Sequence, residues 1–423
     1  MATSVVQAYR FALDPTPRQC AALASHCGAA RVAYNWGLEL VKTRLDQRQT
    51  DPTVDVPWTL PTLRKEWNRA KYEVAPWWAE NSKEAYSSGL DGLARALKNF
   101  ADSRDGRRKG RRVGFPQVKR KDRARATCRF TTGAIRVLAD RKHVQLPRIG
   151  AIKTHESTRK LARRIEQGTA HVLAATISRT ADRWFVSFTV EVNRHIPTSN
   201  GKSHIVGVDV GIRHLAVLST DKPPIPNPRA LERSLRKIGR LNRELARSRR
   251  GSKRRTRIRR RLQRTHARAV NIRRDALHKL TTTLATDHGT IVVEQLNVDG
   301  MLRNRRLARA IADAAMAELR HQLAYKTRWY GSRFVLAHTF YPSSKMCSTC
   351  GWVKAKLTLD ERIFSCEACG SAVDRDLNAA RNLAKLAYVA QSSWETQNAR
   401  GADCETQPAE QVAMKREAGS LLA

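Results

Sequence analysis

Residues 347–382 read CSTCGWVKAKLTLDERIFSCEACGSAVDRDLNAARN, so four cysteines are followed at once by an acidic segment. Cys347 and Cys350 are two residues apart, as are Cys366 and Cys369, and fifteen residues separate the two pairs. Four thiolates satisfy a tetrahedral zinc ion completely and leave no position open. The spacing therefore predicts one structural Zn²⁺ ion, and the glycine after each pair allows the tight turn that such a knuckle needs.

The segment after the cysteines predicts a helix that opens on an acid. Asp374 or Asp376 lies at its start, and Leu377, Ala380 and Leu383 begin its apolar face. An aspartate here is also a preferred N-cap residue. From these residues alone, both acids remain candidates for a functional role.

Two further acids end apolar runs that predict buried strands. Asp209 ends the run IVGVD, and Glu294 ends the run IVVE. A carboxylate at the end of a buried strand is costly unless it is paired or binds a metal. Two strand-end acids and one helix-start acid, set in a basic chain, are the ligands that two Mg²⁺ ions need for phosphodiester hydrolysis.

The charge of the chain predicts a polyanionic partner. Its 79 Lys and Arg residues against 38 Asp and Glu residues give a net charge of +41. Nucleic acid is the polyanion whose charge density matches such an excess. No apolar run reaches the roughly 18 residues of a membrane span, and the first residues lack the apolar core of a signal peptide. We therefore expect a soluble, cytoplasmic protein that is nucleoid-associated when bound to DNA and has no membrane partner.

Two segments carry the densest positive charge. Residues 229–274 have the apolar spacing of a helical hairpin and contain 20 Lys or Arg against 2 Glu. Residues 104–125 form a Gly/Arg/Lys-rich connector. Arginine forks match phosphate oxygens, so both segments predict phosphate contacts. The candidate nucleic-acid-binding residues are Arg107, Arg108, Lys109, Arg111, Arg112, Lys119, Arg120, Lys121, Arg249, Arg250, Lys253, Arg254 and Arg255.

The motifs GVDVGIRHLAVL, VVEQLN, PSSKMCSTCG and DRDLNAARNL together resemble those of the TnpB family. Members of that family are RNA-guided RuvC nucleases of insertion sequences and are related to the type V CRISPR effectors. The resemblance extends over about residues 5–390. It implies that Asp209, Glu294 and Asp376 bind the two catalytic Mg²⁺ ions, with Asp374 as the alternative third acid.

The resemblance also implies a multidomain α+β architecture. An RNase H-like (RuvC) α/β nuclease domain with an inserted zinc ribbon would accompany a wedge β-barrel and a helical recognition lobe. The implied boundaries are 1–13 and 111–200 for the barrel, 14–110 for the lobe, 201–344 and 371–390 for the nuclease domain, 229–285 for its basic hairpin, 345–370 for the ribbon, and 391–423 for a disordered tail.

The function implied is that of an Mg²⁺-dependent, RNA-guided DNA endonuclease of a transposable element. The expected partners are a guide RNA and double-stranded target DNA recognised beside a short flanking motif, with a monomeric protein in the ribonucleoprotein. Two alternatives stay open: a compact type V CRISPR effector, and a guided DNA-binding regulator that does not cut.

Overall fold

The computed structural model describes residues 2–197, 204–220, 222–358 and 360–398. The chain divides into two compact units. The first comprises Met1–Pro197 and Arg229–Asp275, and the second comprises Thr198–Pro228 and Ala276–Ala423. Both units combine helices with a sheet, and the second sheet mixes parallel and antiparallel pairs. At this level the expected multidomain α/β architecture is confirmed.

The first unit begins with a strand, continues with three α-helices, returns to a series of strands and ends with the two helices of the basic hairpin. Its elements are β1 (Ala2–Asp14), α1 (Pro17–Thr50), α2 (Leu60–Val74), α3 (Lys83–Arg104), β2 (Thr127–Phe130), β3 (Arg136–Val137), β4 (His143–Leu146), β5 (Gly150–Thr154), α4 (Arg159–Glu166), β6 (Ala170–Thr180), β7 (Arg183–His195), α5 (Ala230–Ala246) and α6 (Lys253–Asp287), which continues into the second unit. A short 3-10 turn spans Trp78–Glu80.

The sheet of the first unit has seven strands in the order β2-β6-β7-β1-β5-β4-β3. β1 joins its two parts, because its first eleven residues pair with β7 and its last two pair with β5. Alternate residues of β7, such as Val186, Phe188 and Val190, are fully buried in the core. This is the period-two pattern of a strand with one face in the protein interior.

The basic hairpin is formed by α5 and α6, as the apolar spacing predicts. Ile238 and Leu241 of α5 pack with Ile258 and Leu262 of α6 in one cluster. The apolar spacing also placed Ile272 on this seam, but Ile272 is 43% exposed. It lies 19 residues after the first residue of α6, whereas α5 has 17 residues, so it lies past the length over which α5 can pair with α6.

The hairpin groups with the first unit, not with the nuclease segment to which the sequence analysis assigned it. One contact of the hairpin within that unit is a hydrogen bond at 2.8 Å from Arg264 Nε of α6 to Asp182 Oδ2, and Asp182 lies in the turn between β6 and β7. Sequence order alone suggested the other assignment, because the hairpin is inserted between strands of the second unit.

The second unit is built on a five-stranded sheet of order β10-β9-β8-β11-β12. Its elements are β8 (Ile205–Asp209), β9 (His214–Leu218), β10 (Ile225–Pro226), β11 (Thr290–Glu294), α7 (Val298–Met301), α8 (Ala308–Ala314), α9 (Met316–Tyr330), β12 (Arg333–Ala337), β13 (Ile363–Ser365), β14 (Ala372–Asp374) and α10 (Arg375–Asn398). β8, β11 and β12 are parallel, whereas β9 is antiparallel to β8.

The two faces of this sheet pack against different helices. Val208 and Val293 share a core with Leu319 of α9 and Leu284 of α6. On the other face, residues of β8, β11 and β12 share a core with Leu383, Ala384 and Ala387 of α10. Because side chains alternate along a strand, Asp209 and Glu294 belong to the face that α10 covers.

The helix α10 continues to Asn398, so the predicted tail is helical for its first eight residues. The remaining tail residues, 399–423, lie outside the described residues. Within the described ranges, none of the helices combines the length and the apolar character needed to cross a bilayer.

Candidate metal centres

Asp209 and Glu294 end two adjacent parallel strands at the same level. Ile205–Val208 of β8 pair in order with Thr290–Val293 of β11, and the next residue of each strand is the acid. Neighbouring strands lie about 4.8 Å apart, and residues at the same level of a parallel pair point to the same face. The strand pairing therefore brings these two predicted acids side by side.

The helix α10 lies directly against β8 on this face. A Cβ atom placed on Gly207 would lie 1.9 Å from the carbonyl oxygen of Ala380 and 2.6 Å from the backbone nitrogen of Ala384. Only a glycine allows this approach, because any side chain would meet the helix backbone. Gly207 is thus the residue that lets α10 reach the acid-bearing face.

Asp376 is placed opposite Asp209 by the same contact. Asp209 is two residues beyond Gly207, and Asp376 is four residues before Ala380. Two strand residues advance about 6.6 Å and four helical residues about 6 Å, so the two displacements match. The electrostatics agree with this proximity. After burial, the negative charge of Asp376 is the strongest influence that raises the pKa of Asp209.

Asp374, the alternative third acid, serves as the N-cap of α10. Its Oδ1 accepts hydrogen bonds from the backbone nitrogens of Asp376 and Leu377, each at 3.0 Å. Its side chain is exposed, whereas Asp376 is half-buried. The structure therefore gives the two acids of the motif different positions and different partners.

Burial and the neighbouring carboxylates raise the proton affinity of Asp209. Burial, followed by the negative charges of Asp376 and Glu294, raises the pKa of Asp209 to about 7. Burial also raises the pKa of Glu294. Arg375 opposes the effect on Asp209, and its Nε lies 3.5 Å from Asp376 Oδ1. Like charges held together in this way are typical of a site that binds cations.

The four cysteines form a much tighter group. All four sulfur atoms lie within 4.8 Å of one another. Cys347 Sγ is 3.7 Å from Cys369 Sγ, and Cys350 Sγ is 3.6 Å from Cys366 Sγ. Sulfurs bound tetrahedrally at the Zn–S length of about 2.3 Å lie about 3.8 Å apart, so the cluster fits a zinc ion as it stands.

Within the part of the chain that the structure describes, the four cysteines have all their ligand atoms within 4.8 Å of one another, and the three acids do not. A cage for one ion would require such closeness. The acids are therefore not grouped as a cage for a single ion.

Most of the candidate phosphate-binding residues are exposed, but two are half-buried and contact other groups of the protein. Lys119 packs over the ring of Tyr34 at 3.6 Å, and burial lowers its pKa to about 8. Arg255 Nη1 donates to Ser248 O at 3.0 Å and to Leu245 O at 2.5 Å, so it holds the end of α5. Composition could not separate these two residues from their exposed neighbours.

Two candidates are exposed but already paired: Arg107 with Asp102 and Asp105, and Arg120 with Asp122. Exposed ion pairs are weak, so a phosphate can displace the acid. Among the described residues, the candidates that are exposed and form no ion pair are Lys109, Arg111, Arg112, Lys121, Arg249, Arg250, Lys253 and Arg254. Arg108 is half-buried.

Sequence reasoning missed three polar side chains of α10 that follow Asp376 along the helix. Asn378, Asn382 and Lys385 of α10 hydrogen-bond to the backbone near the first two cysteines. Both asparagines are fully buried. The available signal was two asparagines four residues apart on a helix whose other inward residues are alanine and leucine, since a buried amide must find partners.

Three family models match the chain. They are described as "Probable transposase" over residues 187–305, "Cas12f1-like, TNB domain" over residues 317–383, and "Helix-turn-helix domain" over residues 1–50. In the structure, the first fifty residues form β1 and the single continuous helix α1 instead of a helix-turn-helix.

Relatives match nearly the full length. A Mycobacterium tuberculosis protein named "Putative RNA-guided DNA endonuclease" is 42% identical over 403 residues, covering 90% of this chain and 86% of that protein. A Streptomyces pristinaespiralis protein with the same name is 35% identical, covering 90% of each chain. Among solved structures, "Cryo-EM structure of the Cas12f1-sgRNA-target DNA complex" matches with a TM-score of 0.49 and 12% identity, covering 90% of this chain and 99% of that one.

The structure defines a class of protein: a two-unit α/β protein with acids at the carboxyl ends of two neighbouring parallel strands and with a four-cysteine cluster. The relatives make the assignment specific, because two of them exceed 30% identity over nearly the whole chain. The chain belongs to the TnpB family.

Proposed function

We propose that this protein is an RNA-guided DNA endonuclease of a transposable element, which cleaves target DNA beside a short flanking motif. The observation that carries the proposal is the meeting of Asp209 and Glu294 at one level of the sheet, with Asp376 facing them from α10. The names of the relatives support the same activity.

Asp209, Glu294 and Asp376 would hold two Mg²⁺ ions. When bound, such ions generate a hydroxide nucleophile and stabilise the leaving 3′ oxygen. The residues of this chain supply the anionic cradle: their mutual repulsion is relieved by cations, and a proton leaves Asp209 as a cation binds. Arg375 Nε lies 3.5 Å from Asp376 Oδ1, so its positive charge offsets part of the negative charge of the acids.

The remaining parts take supporting roles in the proposal. The second unit would be the RNase H-like (RuvC) nuclease domain, with one structural Zn²⁺ ion at the four cysteines. The sheet and the helices α1–α3 of the first unit would be the wedge barrel and the recognition lobe. The exposed arginines and lysines of the hairpin and of the connector would bind guide RNA and target DNA, since phosphate contacts position a nucleic acid without reading its sequence. We propose a monomeric protein in this ribonucleoprotein.

The test is cleavage of a plasmid by the copurified protein–RNA complex. The bound RNA is sequenced first, and two plasmids are built that differ in whether they match its guide segment. We expect Mg²⁺-dependent cutting of the matched plasmid alone, because base pairing supplies the sequence specificity of guided nucleases. Binding of the matched plasmid without cutting would favour the guided regulator, and cutting of both plasmids alike would exclude guidance.

A further inference from the structure

Side chains on one face of α10 hydrogen-bond to the backbone of the segment that carries the first two cysteines. Asn378, Asn382 and Lys385 are spaced by four and three residues, so they lie on one side of the helix. Asn378 Nδ2 donates to Met346 O at 2.7 Å, and Asn378 Oδ1 accepts from Ser348 N at 2.8 Å. The two backbone groups flank Cys347, so one side chain brackets a predicted zinc ligand.

The other two residues of this face add hydrogen bonds to the same segment. Asn382 Nδ2 donates to Ser343 O at 2.8 Å and to Met346 O at 2.5 Å. Lys385 Nζ donates to Ser348 O. Both asparagines are fully buried, so loss of Asn378 would remove the side-chain partner of Ser348 N, and loss of Asn382 would remove that of Ser343 O.

The far side of the cysteine segment is attached to the same helix start. The backbone nitrogen of Arg375 donates to Arg362 O at 2.8 Å, and its Nη1 donates to Thr358 O at 3.4 Å. Asp376 therefore lies between two attachments to the cysteine-bearing segment, one at Arg375 and one at Asn378. Its position depends on where that segment is held.

We propose that Asn378 and Asn382 are positioning residues that couple the cysteine cluster to the carboxylate site. With zinc bound, the backbone around Cys347 is rigid, and the asparagines transfer that rigidity to the first turn of α10. The carboxylate of Asp376 is thereby held where it completes the cation site with Asp209. This inference rests on the proposed function, because it assigns Asp376 to metal binding.

The test measures cation binding and not cleavage alone. Mn²⁺ binding to the full-length, zinc-loaded chain is titrated by electron paramagnetic resonance, and the Asp209→Ala variant defines the signal from other sites. We expect Asn378→Ala to weaken the Asp209-dependent Mn²⁺ binding by about tenfold to a hundredfold, the usual effect of losing a residue that orients a ligand. Zinc content should stay at one per chain.

Controls separate this role from simple stability. Asn68→Ala, at an exposed position of α2, should leave Mn²⁺ binding unchanged. Asn382→Ala removes bonds farther from Asp376 and should weaken Mn²⁺ binding several-fold, which also provides the decisive variant if Asn378→Ala does not fold.

Each outcome decides between the two claims. Wild-type Mn²⁺ affinity in both folded asparagine variants would overturn the coupling and leave the proposed function intact. Absence of any Asp209-dependent Mn²⁺ binding in the wild-type chain would instead contradict the proposed function. In the protein–RNA complex, the Mg²⁺ concentration for half-maximal cleavage should rise by the same factor as the Mn²⁺ dissociation constant.

Discussion

The cysteine cluster and the carboxylate site both belong to the second unit, but they differ in how close their side chains lie and in how far apart these residues are in sequence. The cysteines come from 23 consecutive residues, and their sulfur atoms lie within 4.8 Å of one another. The acids come from two strands and a helix that are 82 or more residues apart in sequence. Four thiolates fill every position of the first site. The acids of the second site are positioned by the packing of α10 on the sheet.

Under the proposed function, this difference separates a metal that stabilises the fold from metals that take part in chemistry. Four thiolates saturate an ion, so it can only stabilise the fold. Three carboxylates would leave coordination positions for water and substrate, and burial together with the charges of Asp376 and Glu294 raises the pKa of Asp209. The comparison predicts that loss of a cysteine acts on stability and loss of an acid acts on chemistry.

The largest expected effect is that of Cys366→Ser on zinc content and stability. Structural zinc contributes about 10–16 kcal/mol in small zinc-binding peptides, so loss of one ligand should release the ion and unfold the local segment. Zinc per chain, measured by mass spectrometry, should fall from one towards zero. Cys20→Ser, a cysteine outside the cluster, should keep one zinc. Full zinc retention in Cys366→Ser would remove this account of the cluster.

The second prediction sharpens the carboxylate side with a matched pair. Asp376→Asn should lower the cleavage rate about a thousandfold, because about 4 kcal/mol of metal-borne charge stabilisation would be lost. Asp374→Asn should cleave at nearly the wild-type rate, since asparagine also caps helices. Single-turnover cleavage rates compare the two variants. The reverse ranking would make Asp374 the third ligand.

The third prediction concerns stability and pH. The pKa of Asp209 is about 7 in the folded chain, against about 3.9 in an unfolded one. Its contribution to stability is therefore present below pH ~4 and is lost as the pH rises through ~7. Asp209→Asn should raise the free energy of unfolding at pH 8 by a few kcal/mol, at about 1.4 kcal/mol per pKa unit, and by almost nothing near pH 4.

Urea denaturation in Mg²⁺-free buffer measures this difference. Added Mg²⁺ should stabilise the wild-type chain and not the variant, because a ligand stabilises only the state that binds it. A variant less stable than wild type at pH 8 without Mg²⁺ would show that the acids do not repel one another.

The smallest expected effect is that of Asp374→Ala. Its side chain caps two backbone nitrogens of α10, so its loss should lower the free energy of unfolding by about 1 kcal/mol. Thermal unfolding measures the change, and Asp374→Asn should restore most of it. A loss as large as that of Cys366→Ser would mean that Asp374 does more than cap the helix.

Local patterns made much of the site predictable. The cysteine spacing indicated the cluster, and the apolar runs before Asp209 and Glu294 indicated the two strands that the structure contains. The level at which β8 and β11 pair was not readable, because register depends on contacts between segments about 85 residues apart. In the sequence, Gly207 could not be distinguished from any other glycine in a strand, because its role depends on the close approach of α10.

The charged residues were harder to interpret than the acids. Lys119 and Arg255 look like their neighbours in a basic sequence, yet one packs on Tyr34 and the other holds the end of α5. Long side chains with apolar stems can be buried or exposed at small cost, so composition does not decide between the two. The unit with which the hairpin groups was equally hidden, because that grouping depends on contacts between segments that are distant in sequence.

The central claim is that Asp209, Glu294 and Asp376 form the metal site of a guided nuclease. Its most direct test compares the wild-type and Asp209→Ala protein–RNA complexes on one matched DNA target, with binding and cleavage recorded in the same Mg²⁺ buffer. The account predicts equal binding in both complexes and cleavage by the wild type alone. Cleavage by Asp209→Ala at the wild-type rate would contradict it.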